Sequence, residues 1–239
     1  MIAAVVVVMV AANIAMNRLP SRWYVPVCVL SAGCLLALAW IDGLNATDLG
    51  LGAGTLLPGL LWAVLLVFAV ALLYSGVAAL PRSRVLFADR RVTTAGGREV
   101  AQRMLVSIPF GTVLLEETAF RSVLFAVVSV RYGIWWAVAV SSVLFGLWHI
   151  LPTLPMHESH DAVQRALGAG RRARWIAVLM GVASTAMGGV VFAMLRVWTD
   201  SLLPPIGLHW ALNGMGVAVA WWLARITRNG GGLEHPDSR

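Results

Sequence analysis

Apolar runs of about 20 residues, the length that crosses a bilayer as a helix, recur along the chain at roughly 2–17, 23–40, 56–80, 104–130, 133–151, 175–197 and 203–224. Short polar stretches with Pro, Gly and Arg separate them. The pattern predicts an all-α fold, a polytopic transmembrane helical bundle of about seven spans. The first run is short, and Arg18 and Arg22 follow its apolar part instead of preceding it, so it reads as a retained anchor and not as a signal peptide. No long linker or low-complexity segment divides the chain. Three stretches are expected: N-terminal transmembrane helices with a basic loop over 1–103, a helical core over 104–224, and a disordered tail over 225–239. The sixth run carries Gly181, Thr185 and Gly189 at four-residue spacing, with Ser184 and Gly188 beside them, which predicts close helix packing.

Composition agrees with membrane insertion. Of 239 residues 59% are hydrophobic and 12% charged, against about 25% charged in soluble domains. The 11 Trp, many near the ends of apolar runs, fit the aromatic enrichment of membrane interfaces. Every basic residue is Arg, which fits a GC-rich bacterial genome and hence a multi-pass protein of a bacterial plasma membrane. The net charge of +7 is explained by topology and not by nucleic acid, because the Arg residues sit in short loops. Arg18 and Arg22, then Arg82, Arg84, Arg90, Arg91, Arg98 and Arg103, then Arg165, Arg171, Arg172 and Arg174, and finally Arg225, Arg228 and Arg239 all fall on one side. Only Arg131 and Arg196 fall on the other, and Arg121 lies inside a span. This asymmetry places the N-terminus outside and the C-terminus in the cytoplasm. Cys28 and Cys34, six apart in one run, point to different helix faces and read as packing residues.

Among the acidic residues only Glu116 and Glu117, in LLEETAFRSVLF, fall well inside a span. An ionisable group at mid-bilayer costs at least roughly 2.5 to 3.5 kcal/mol on insertion scales, which points to a task. Glu117 and Arg121 are four apart and within reach of an ion pair on one face. Glu116, rotated by about 100°, has no such partner in register, a disposition that suits a general base. A purely structural buried ion pair with a spare carboxylate is the plain alternative. In VLFGLWHI, Phe145 precedes His149 by four residues and can pack beside the imidazole; in PPIGLHWALNG, His209 and Asn213 are again four apart, two donors on one face. Taken singly these read as an interface histidine and an interhelical contact. His157, His160 and His235 lie in polar stretches and receive no chemistry. Together, Glu116, His149, His209 and Asn213 lie on three helices, and converging faces would supply a base, a water-holding group and two donors, the parts needed to hydrolyse an amide with an activated water.

EETAFR, FGLWH and HWALN, in this order on successive apolar runs, resemble the EExxxR, FxxxH and HxxxN/B motifs of the CPBP family, which includes type II CAAX prenyl endopeptidases and bacteriocin-processing or immunity proteins. The resemblance covers roughly 104–220. It implies an intramembrane endopeptidase acting on hydrophobic or lipidated peptides within the lipid bilayer. Glu116 would be the catalytic base, His149 would help hold the water, His209 and Asn213 would stabilise the oxyanion, and Glu117, Arg121 and Phe145 would support the site. No cofactor is expected in the glutamate-dependent version; the alternative is Zn2+ on Glu116, His149 and His209, although HExxH is absent. A non-catalytic immunity or scaffold protein binding a peptide in the same cavity is the competing function, while a transporter is disfavoured because the two halves show no repeat. One requirement stands out. In a straight-helix picture His149 lies near the cytoplasmic end of its span, and His209 lies just past the outer loop, beyond Pro204 and Pro205. Convergence therefore demands strong tilt or a stretch at 198–204 that dips into the protein. Pro109 and Gly111 are expected to kink the helix ahead of the glutamates.

Overall fold

The computed structural model describes residues 1–87, 92, 94–154 and 170–230, with backbone alone for 85, 86 and 228–230. His157, His160 and His235, as well as Arg90, Arg91, Arg165, Arg239 and the tail beyond 230, lie outside the described residues. Among the described residues the secondary structure is helical, with no strand. The elements are α1 (Ile2–Arg18), α2 (Tyr24–Ile41), α3 (Ala53–Ala79), α4 (97–132), α5 (Ile134–Trp148), α6 (Ile150–Thr153), α7 (Arg171–Thr199) and α8 (203–230). Each predicted apolar run is helical. Four helical stretches, Ser21–Ile41, Ala53–Ala79, Ile134–Thr153 and Arg171–Thr199, are long and apolar enough to cross a membrane, and α1 is a shorter apolar helix. Their outward faces expose large apolar side chains such as Leu57, Leu61, Phe68 and Leu72 of α3 and Leu179 and Met187 of α7, surfaces that hydrocarbon tolerates and water does not.

The centre of the bundle is α4, which touches α1, α2, α5, α7 and α8. Residues 115 to 128 are buried around its whole circumference, as expected of a helix surrounded by others. It is also irregular: Arg103–Val113 and Thr118–Val123 have the wider π-type hydrogen bonding, flanking a single α-turn at Leu114–Glu117. Pro109 sits in the first π stretch, in line with the expected distortion, and a side chain at Gly111 would overlap the Tyr24 ring.

Small residues bring α5 and α7 together. Gly146 faces Val182 and Ala186, Gly189 faces Ser142, and Gly181 faces Thr153 of α6. Gly188 meets nothing, and the Ser184 hydroxyl caps the Gly181 carbonyl from an exposed position. Only part of the predicted glycine stripe is therefore a packing surface. Cys28 is buried in the core and Cys34 is exposed; both are free thiols.

Polar contacts fix the 42–52 loop. Arg131 makes a bidentate pair with Asp42 at 2.6 and 2.9 Å, Ser122 donates to the Leu49 carbonyl at 2.8 Å, and Arg196 donates to the Asp48 carbonyl at 3.0 Å. Gly50 has φ +76°, and a side chain there would overlap the Arg196 guanidinium. The Gly50 carbonyl accepts from the Leu202 amide at 2.8 Å. That bond holds the 200–202 connection inside the protein, where Ser201 and Leu202 are buried. The chain turns there through Asp200 in a left-handed conformation, φ 48°, and α8 starts with Pro204 and Pro205 buried in its first turn. The stretch before α8 thus dips into the protein, its backbone partly satisfied by the 42–52 loop. Gly50→Val should lower the thermal unfolding temperature, at a cost of about 1 to 3 kcal/mol for backbone strain alone. Gly188→Leu, which meets no neighbour, should leave the melting curve of detergent-solubilised protein unchanged.

Candidate active site

Four helices meet at Glu116 and Glu117, which are 3% and 0% exposed. The single α-turn of α4 points the two carboxylates in different directions. Glu117 Oε1 accepts from Arg121 Nη1 at 3.3 Å and faces His209 Nδ1 at 2.7 Å. A carboxylate oxygen only accepts, so the proton of that bond lies on His209 Nδ1. Arg121, four residues on and fully buried, lies with its guanidinium carbon 3.9 Å from the Phe145 ring centroid and 4.8 Å from that of Phe192. Its Nε and Nη2 find no hydrogen-bond partner among the described residues, and the aromatic faces take that place.

Glu116 has separate surroundings. Its Oε1 accepts from the Trp148 indole N–H at 3.0 Å. Its Oε2 has no hydrogen-bond partner among the described residues but lies 3.8 Å from His149 Nε2 and 3.7 Å from His209 Nε2. Both imidazoles therefore reach the depth of one carboxylate oxygen, and the required convergence is met through the buried turn at 200–202. The ring orientations are fixed from the other side. His149 Nδ1 donates to the Phe145 carbonyl at 2.8 Å, and the Phe145 ring stands edge-on to the imidazole at 4.6 Å. His209 is stacked on Phe192, with centroids 5.2 Å apart and planes 20° apart. Phe145 thus borders Arg121, His149 and His209 at once.

Asn213 stands apart from this buried group. It is exposed, and the π-type turn Ala211–Met215 begins directly after the helical segment that carries His209. Trp148 and Phe192 escaped the sequence reading. Trp148 was visible inside FGLWH, where the four-residue spacing drew notice only to Phe145 and His149. Phe192, inside a uniformly apolar run, carried no signal. As for a metal, no group of three or more His, Cys, Asp or Glu among the described residues is arranged to hold one.

Breaking the buried pair on one side leaves an uncompensated charge. Arg121→Leu should therefore destabilise the protein by about 3 to 5 kcal/mol. Arg121→Lys, which keeps the charge but loses the planar stack between Phe145 and Phe192, should fall between the two, as read from thermal unfolding in detergent.

No curated protein and no solved structure matches the chain. A family model does: that of the Rce1-like type II CAAX prenyl endopeptidases matches residues 101–215. The match spans α4 and α5, and α8 as far as the π-type turn that carries Asn213. Over residues 101–215 the chain is thus similar to the Rce1-like type II CAAX prenyl endopeptidases, a family of proteases.

Proposed function

We propose that this protein is an intramembrane endopeptidase that cleaves hydrophobic or lipidated peptides with a water activated by Glu116. The observation that carries the reading is the meeting of two imidazole Nε2 atoms on one carboxylate oxygen, at 3.7 and 3.8 Å, a spacing that a hydrogen-bonded water would bridge. With its Nδ1 proton given to the Phe145 carbonyl, neutral His149 presents an Nε2 lone pair. The water donates one proton to that nitrogen and the other to Glu116 Oε2, which leaves its own lone pair to attack the peptide carbonyl. Glu116 takes the proton as the C–O bond forms and passes it to the leaving nitrogen as the C–N bond breaks. His209, with Nδ1–H on Glu117, faces the reacting carbonyl through Nε2–H and is the oxyanion donor within the buried cluster; Asn213, exposed one turn further on, could add a second donor only by swinging toward the bound peptide.

The chain is read as seven spans in a bacterial plasma membrane, N-terminus outside and C-terminus in the cytoplasm, on the Arg asymmetry. We read the chemistry as metal-free. Cleavage by purified protein should survive a chelator, and stoichiometric zinc that tracks activity would contradict this. The main test compares membrane peptidomes of a deletion strain restored with wild-type or Glu116→Gln protein. The variant should fold normally and lose at least about 100-fold in turnover, so that uncleaved substrate accumulates. Identical peptidomes, with function preserved in both strains, would point instead to a non-catalytic scaffold.

A further inference from the structure

The peptidase reading leaves open what holds Glu116 itself. Unlike Glu117, it has no cation in hydrogen-bonding contact among the described residues; its one hydrogen bond among them is that from the Trp148 indole to Oε1. That bond decides which oxygen faces the imidazoles. With Oε1 occupied, Oε2 is the oxygen left toward His149 and His209. Trp148 is 7% exposed and its ring packs edge-on against Phe120 at 5.5 Å, so the indole has little freedom to turn away.

The backbone of Trp148 is fixed by a second device. In an unbroken helix its carbonyl would accept from the amide four residues on, but that residue is Pro152, which has no N–H. The helix breaks here: α5 ends at Trp148, His149 takes φ −85° and ψ 3°, and α6 starts at Ile150. A buried carbonyl left open by proline needs another donor. Asn13 of α1 supplies it, its side-chain amide reaching the Trp148 carbonyl at 3.0 Å. Asn13 is itself buried, 8% exposed, and α1 lies well outside residues 101–215.

We propose that Trp148 and Asn13 are positioning residues for the reaction: Asn13 fixes the helix break at residues 148 and 149, and Trp148 clamps Glu116 so that Oε2 faces the water-holding imidazoles. The proposal rests on the peptidase reading of Glu116. It makes the first helix part of the catalytic apparatus and accounts for a tryptophan directly before the histidine.

The test uses full-length protein and the peptide that accumulates in the Glu116→Gln strain. Trp148→Phe keeps an aromatic ring near Phe120 and removes the N–H together with part of the bicycle, so its kcat is compared per folded molecule with that of Trp148→Leu, which also lacks the donor. Trp148→Phe should lower kcat by about 10- to 100-fold, the scale of a misplaced catalytic group, with KM unchanged. Asn13→Leu should lower kcat in the same way, and Asn13→Gln, which keeps the donor, should recover much of it. A purely structural role would lower the melting temperature without changing kcat per folded molecule. In protein carrying 15N in its indoles, the Trp148 resonance, assigned by its loss in Trp148→Phe, should shift in Glu116→Gln. Wild-type turnover in Trp148→Phe, with Glu116→Gln inactive, would overturn the positioning role alone, as would an unmoved indole signal. Equal cleavage by wild type and Glu116→Gln would overturn the peptidase reading instead.

Discussion

Two carboxylates buried side by side in an apolar bundle need compensation, and that need organises the rest of the molecule. Arg121 and His209 both bind Glu117 Oε1, so one carboxylate is held by two nitrogen groups while its neighbour stays open. Arg121 in turn requires Phe145 and Phe192 as aromatic faces, because two of its nitrogens find no hydrogen-bond acceptor among the described residues. Removing any one of these would expose an unpaired charge to a medium that does not solvate it. Glu117 is thus the carboxylate held by Arg121 and His209, while Glu116 Oε2 is left toward the two imidazoles.

Bringing His209 to this cluster constrains a region far from it. The short turn at 200–202 is buried, with a left-handed Asp200 and a Leu202 amide that depends on the Gly50 carbonyl. The 42–52 loop is fixed by Ser122 of α4 and Arg196 of α7. Arg131, paired with Asp42, and Arg196, on the Asp48 carbonyl, both tie down this loop. The loop that these arginines hold in turn carries the Gly50 carbonyl on which the start of α8 depends.

What the sequence discloses follows from the range of each interaction. The Glu117–Arg121 pair and the Phe145–His149 contact lie within one turn of helix, so a four-residue spacing reveals them. The apolar runs are equally plain, since membrane-length hydrophobicity is a local property. Convergence of His149 and His209 on Glu116 depends on how three helices pack, on π-type turns at Thr118–Val123 and Ala211–Met215, and on a buried connection that no local pattern announces. Phe192 is one apolar residue among many until His209 stacks on it. The Asn13 contact spans 135 positions in sequence and becomes meaningful only when Pro152 is seen to leave a carbonyl open. Gly188 is the opposite case: its spacing resembles its neighbours', yet a Cβ there would meet nothing among the described residues.

The central claim is that Glu116 acts as a base on water and does not itself attack the peptide. A single turnover in water enriched in 18O, with mass analysis of both product and protein and a parallel turnover in hydroxylamine to trap any acyl-enzyme as the product hydroxamate, separates the two. Direct attack by water predicts one 18O in the new carboxylate of the product and none in the peptide that carries Glu116. Label in the Glu116 side chain would show that the carboxylate had formed a covalent acyl intermediate and would contradict the account.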